Sequence, residues 1–283
     1  LYVRIATTGI ANTPIYIYKS DDFSVLVQDI HLLWGVFIGI SIVIALYNLV
    51  IFFSVKDIVY LIYNGYILSV ITLMGVVLGY GFYLFPESIQ LSFNRQVVAL
   101  NCFVVVFALL FLIYFLEFQL KKQWHYWLAI GAVFVLSVLF IVSLLIPEYY
   151  SAQIYFALVP PVYIICFILL IKKMRTGLQW GKLYIYSWVP LLIGATMQPL
   201  VLMGIIEYSF FSQHALVIAI LLEIVLMAMA LADRMRYQKE QVIYHATHDL
   251  NSGLPNITLL EGKLSHLLNI EKEFATCLIE IEN

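Results

Sequence analysis

A hydrocarbon layer about 30 Å thick is crossed by about 20 apolar residues wound as an α-helix. This 283-residue chain carries seven stretches of that kind, at residues 31–53, 58–79, 97–116, 124–146, 154–171, 183–205 and 214–232. In lipid the backbone N–H and C=O groups find no water, so such segments must close their hydrogen bonds internally as helices. The expected fold class is therefore an all-α membrane protein with a seven-helix transmembrane bundle over residues 25–232. Composition agrees: 63% of residues are apolar, 11% are charged and the mean hydropathy is +0.97, outside the range of soluble domains. Nothing in the charge pattern points to nucleic acid.

The loops between the stretches alternate in charge. Lys56 follows the first stretch, Lys121 and Lys122 the third, Lys172, Lys173, Arg175 and Lys182 the fifth, and Arg234, Arg236 and Lys239 the seventh. The intervening loops carry Arg95 as their one strong base, with Glu87, Glu148 and Glu207. The positive-inside rule then places the N-terminus outside and the C-terminus in the cytoplasm. Seven crossings demand the same arrangement. The expected location is a bacterial inner membrane, with lipid as the surrounding partner.

Both flanks differ from the bundle. LYVRIA and PIYIYKS alternate apolar and polar residues around the turn-rich TTGIANT, which predicts two short strands, a β remnant over residues 1–24. Two strands alone are marginal, so they read as the end of a larger β domain, with Asp21, Asp22 and Ser24 as a linker. With no initiator Met or basic leader before Leu1, a piece of a longer chain is expected. Cys102, Cys166 and Cys277 match no metal or disulfide spacing and read as small buried apolar residues.

Charge inside a membrane is costly and is a functional hypothesis by default. Glu223 sits midway along the seventh stretch, where it needs an inward-facing partner or a proton. It is either a neutral carboxyl bonded to a neighbouring helix or part of a switching apparatus that repacks on signalling. His31 and His214 begin the first and seventh stretches and could seed a metal site, although histidines at helix starts are more often simple polar ends. Pro160, Pro161, Pro190 and Pro199 imply kinks. Asn48, Asn64, Asn101 and Gln198 read as interhelical hydrogen-bonding groups, and Trp34, Trp124, Trp127, Trp180 and Trp188 as interfacial belts. Residues 214–232 contain no Lys, which excludes a retinal Schiff base. A transporter calls for several midplane ionisable groups or a matched repeat. A receptor needs only a bundle that can move.

The stretch LYNLVIFFSVKDIVYLIYNGYILS (Leu46 to Ser69), the GYGFYLFPE loop and the ending LLEIVLMAMALADRM resemble the bacterial seven-transmembrane receptors with diverse intracellular signalling modules. The likeness covers about residues 1 to 236. It implies an extracellular β-sandwich that binds a small molecule such as a carbohydrate, with LYVRIA to PIYIYKS as its final strands. Beyond the bundle, residues 233–247 form a charged segment with Leu231, Met235 and Val242 on a spacing compatible with a dimeric signalling helix, hence a homodimer. A solvated linker helix is the plainer alternative.

From His248, HDLNSGLPNITLLEGKL and FATCLIEIEN resemble the start of a GGDEF domain, a truncated α/β unit over residues 248–283. Asp249, Gly253, Leu254, Pro255 and Asn256 fit its opening turn, residues 257–268 its helix and residues 274–281 its first strand. Leu250, Asn251, Ser252 and Ile257 depart from the usual residues. The resemblance implies a full-length output in cyclic di-GMP metabolism, with GTP or cyclic di-GMP as ligand and Mg as cofactor. No catalytic residue is assigned within this chain. Glu280 falls where the family has a metal-binding Asp; it keeps an oxygen ligand but adds a methylene to a site with strict octahedral geometry. An active cyclase, a degenerate domain and one followed by an EAL phosphodiesterase all remain open. So do a histidine kinase with His248 as phosphoacceptor and a bundle without enzymatic output.

Overall fold

The computed structural model describes residues 17–84, 86–117, 124–174, 181–207, 209–249 and 252–269. It is helical, with no β-ladder among those residues. The chain divides into two compact units, Leu1–Leu231 and Ala232–Asn283. The expected strand LYVRIA lies outside the described residues, and Ile17 to Lys19 are irregular. The linker expected at Asp21–Ser24 is instead the first turn of α1 (Ser20–Val55). Asp21 and Asp22 there complement the positive end of the helix dipole, and the Ser24 hydroxyl donates back to the carbonyls of Ser20 (3.0 Å) and Asp21 (2.8 Å).

The turn into α2 (Ile58–Val77) is built by two residues. Lys56 takes the left-handed conformation (φ 59°), and Asp57 caps α2 by accepting from Val59 N at 3.1 Å. The following loop carries two short helices, α3 (Gly81–Leu84) and α4 (Glu87–Asn94). Gln90 of α4 is fully buried and donates to the Val76 carbonyl and Asn94 Oδ1. Gly81 makes room for it, since a Cβ there would lie 1.8 Å from Gln90 Oε1.

The remaining helices of the first unit are α5 (Val97–Phe115), α6 (Trp124–Ser143), α7 (Glu148–Met174) and α8 (Lys182–Leu202), together with the first part of α9 (Phe210–Thr247). Among the described residues six helices, all but α8 of these long ones, are long and apolar enough to cross a membrane. α7 runs through Pro160 and Pro161, which costs it two backbone hydrogen bonds. α2 is the central helix, two-thirds of its apolar window being buried (67%) against α1 and α5, whereas α1 buries 17%. Outward-facing side chains such as Leu32, Val43, Val50, Phe134 and Phe156 are large and apolar. A surface of that kind matches hydrocarbon, not water.

In the second unit α9 continues without a break past Ala232 and gains Asp233, Arg236, Lys239 and Glu240, so its apolar character ends there. The exposed pairs Arg236–Asp233 (3.6 Å) and Arg236–Glu240 (3.8 Å) follow helical spacing. After the turn that includes Asp249 and residues 252–256 comes α10 (Ile257–Asn269), which coincides with the expected amphipathic helix. The strand expected at residues 274–281, with Cys277 and Glu280, lies outside the described residues.

Candidate functional site

Glu223 is almost completely buried in the bundle. Its partner is on α2: the Tyr66 hydroxyl donates to Glu223 Oε2 at 2.6 Å. Among the described residues nothing donates to Oε1. One helical turn from Tyr66, the Tyr63 hydroxyl donates to the Ile224 carbonyl. Tyr63 and Tyr66 share a face of α2 because they are three residues apart, and they tie α2 to α9 at two adjacent points.

Beside this contact lies a cavity of about 320 Å³, lined by residues of α2, α5, α7, α8 and α9. Its wall is chiefly Val70, Leu73, Met74, Leu216, Ile220 and Met227, together with Glu223 and Asn101. Four aromatic residues also line it: Tyr66, Tyr163, Tyr184 and Trp188. Trp188 meets Tyr163 and Tyr184 edge to face, each at 6.2 Å between ring centres. Tyr184 packs on Phe111 and Phe115, and Phe111 on Tyr63, so the rings form one continuous cluster. Where the chain reads as interfacial belts, Trp188 therefore faces an internal cavity. Trp34 is also buried, stacked on Phe37 and Tyr80, because the α2–α3 turn folds over it.

The helices around the cavity approach closely where side chains are small. A Cβ at Gly194 of α8 would lie 2.4 Å from Ala219 Cβ and 2.9 Å from the Ala215 carbonyl of α9. Asn64 of α2 bridges to α1. Oriented to satisfy both neighbours, its amide donates to the Ala45 carbonyl (2.9 Å) and accepts from Leu49 N (3.3 Å). Asn48 and Asn101, expected to bond between helices, donate instead to Ile44 and Val97 of their own helices. The Gln198 side chain lies outside the described residues.

His31 and His214 do come together, lining a second cavity of about 360 Å³ with Tyr80, Tyr83 and Gln213. His214 Nδ1 donates to the Phe210 carbonyl at 2.9 Å. Burial, with the Tyr83 phenol beside it, raises Tyr80 above the usual phenol range. Among the described residues no group of three His, Cys, Asp or Glu side chains could hold a metal. Cys102 and Cys166 are buried thiols.

In the second unit Met235 is half-buried and Val242 is 68% exposed, followed by exposed Ile243 and Tyr244. Asp249 and residues 252–256 form a built turn. Asp249 Oδ1 accepts from Ser252 N and Oγ, both at 2.8 Å, and the Asp249 carbonyl accepts from Gly253 N. Gly253 supplies the left-handed corner (φ 67°), and Leu254 and Pro255 return the chain to an isolated antiparallel bridge with His248. Asn256 then donates to the Ala246 carbonyl and caps α10 by accepting from Leu259 N at 3.2 Å.

Sequence reasoning singled out Glu223 but missed Tyr63, Tyr66, Tyr163, Tyr184 and Gln90. A signal was available: Tyr60, Tyr63 and Tyr66 recur every three residues along a mainly apolar span. Comparison with protein families matches residues 30–234 to 7TM diverse intracellular signalling. No curated protein and no solved structure matches the chain. The family match spans well over half the chain and the apolar helices agree with it, so this is a multi-pass membrane protein that belongs to the 7TM diverse intracellular signalling family.

Proposed function

We propose that the chain is the transducing part of a bacterial inner-membrane receptor, with the N-terminus outside and α8 as the sixth of seven crossings. It passes a signal from an extracellular small ligand, carbohydrate-like in class, to a cytoplasmic GGDEF-type module in cyclic di-GMP signalling. Residues 1–24 end the external sensor, residues 233–247 are the signalling helix of a homodimer, and residues 248–283 begin the output domain. Glu223 belongs to the switch, Met235 and Val242 to the dimer contact. Glu280 offers an oxygen ligand for Mg in the complete output domain, which is active, degenerate or coupled to an EAL domain.

One observation carries this reading. α9 is a single helix from Phe210 to Thr247 that holds Glu223 inside the bundle and ends at the HDLNSGLPN turn. Any rotation imposed on Glu223 is delivered to that turn, because an intact helix transmits rotation along its axis. The histidine kinase alternative fits less well: its phosphoacceptor sits within a continuous helix, whereas His248 follows the end of α9 and Gly253 has a positive φ.

Insertions between Tyr237 and Gln238 test it in the full-length receptor. One inserted residue turns the downstream helix by about 100° and seven restore its phase to within about 20°. Cellular cyclic di-GMP should therefore change with one or two inserted residues and return with seven. Levels indifferent to the receptor and to every insertion would overturn the output class, and phosphate on His248 would establish the kinase alternative.

A further inference from the structure

A buried carboxyl in a membrane bundle calls for a cation or a proton. Among the described residues no Lys, Arg or His lines the cavity at Glu223. Tyr66 occupies Oε2, and among the described residues nothing donates to Oε1 of this cavity-lining residue. The other groups with polar atoms along the wall are neutral: the Tyr163 and Tyr184 phenols, the Trp188 indole and Asn101, whose Nδ2 donates to the Val97 carbonyl. The rest of the lining is aliphatic and aromatic. Trp188 stands nearly perpendicular to both Tyr163 (85°) and Tyr184 (86°), so neighbouring walls present ring faces and edges in crossed directions.

A carboxylate and several aromatic rings around one space are the elements that recognise organic ammonium ions. The carboxylate supplies the counter-charge, and ring faces within about 6 Å attract the cation through their quadrupoles. The cavity, about 320 Å³, lies at the lower end of ligand-pocket sizes. It suits a single ring on a short chain, and its Leu, Val, Ile and Met lining excludes a polyhydroxylated molecule.

We propose that the cavity bounded by Glu223, Tyr66, Tyr163, Tyr184 and Trp188 binds a small lipophilic organic amine as its ammonium ion. The ammonium pairs with Glu223 Oε1 within the aromatic walls, and the hydrocarbon part fills the space against Leu216 and Ile220. This deepens the receptor reading by giving the switch at Glu223 a ligand of its own, separate from the external sensor.

Two isosteric probes decide it. The full chain, purified in dodecyl maltoside, a detergent with no ammonium group, is titrated with 2-phenylethylamine and with 2-phenylethanol while tryptophan fluorescence is read against protein-free micelles. The amine should saturate with a Kd about tenfold or more below that of the alcohol. Glu223→Gln should erase that preference while leaving the alcohol's affinity in place. Trp188→Leu should weaken the amine more than the alcohol, read by calorimetry because it removes a fluorophore. Equal affinity for the two probes, or no saturable amine binding, overturns the proposal on the native chain alone, even should a variant fail to fold. A preference that survives in Glu223→Gln overturns it equally. Failure of the receptor reading shows up separately, in cyclic di-GMP that ignores the helix insertions while the amine preference persists.

Discussion

Glu223 is held by one phenol, and that makes Tyr66 the residue whose loss is felt most directly. Tyr66→Phe removes the donor at 2.6 Å and leaves a buried carboxyl oxygen unpaired, a cost of about 1–3 kcal/mol. Tyr63→Phe should cost less, roughly 0.5–1.5 kcal/mol, because the Ile224 carbonyl can still accept within its own helix. Thermal unfolding of the two variants in detergent gives the comparison; a larger loss for Tyr63→Phe would contradict the assignment. Gly253 is a second sensitive residue, since its φ of 67° is unfavourable for any side chain. Gly253→Ala should destabilise the turn by about 1–2 kcal/mol and speed amide exchange at Ser252 and Gly253, the donors it organises. That turn was legible in the sequence because Asp, Gly, Pro and Asn each have a specific backbone use. The Tyr66–Glu223 bond was only half legible: a carboxyl in a span announces the need for a partner, but which of 20 tyrosines answers depends on packing between residues 157 apart.

At the scale of elements, the contact between α8 and α9 depends on a missing side chain. Gly194 faces Ala215 and Ala219, and lipid gives these helices no hydrophobic drive to associate, so close approach of backbones is their main attraction. Gly194→Val should force them apart at a cost of about 1–3 kcal/mol. Gly131→Ala on α6 meets nothing within 4 Å and should be neutral or stabilising by about 0.5–1 kcal/mol. Equal losses by thermal unfolding would show that the α8–α9 approach is not tight. Helix positions were read well from hydropathy, since α2 and α5 fall within two residues of their expected ends. The ends of α1 and α9 were not, because a helix need not stop where its apolar stretch stops. Asp21, Asp22 and the charged run after Leu231 are good helix formers or dipole partners that extend each rod. The two short helices α3 and α4 escaped notice because Gln90, a polar residue in a loop pattern, is buried by the tertiary fold.

For the whole molecule, orientation is the property that charge in the loops determines. On the proposed orientation, with the N-terminus outside, a Cys replacing Glu87 should react with an impermeant maleimide in intact cells, and one replacing Lys56 or Lys239 only after permeabilisation. The reverse labelling would invert the receptor. The helical membrane class was accessible from the apolar stretches because hydrocarbon leaves the backbone one economical solution. Which helix is central was not, since α2 and α1 each carry a long apolar stretch and only the packed bundle distinguishes them. The unbroken length of α9 has a mechanical side as well. From Ala232 to Thr247 the helix is about 23 Å long at 1.5 Å per residue. Within that stretch it can serve as a lever: a tilt of about 10° at Ala232 would swing Thr247 sideways by about 4 Å, most of the spacing of one helical turn. A small change of angle where the charged run begins would thus be enlarged at the end that carries the turn.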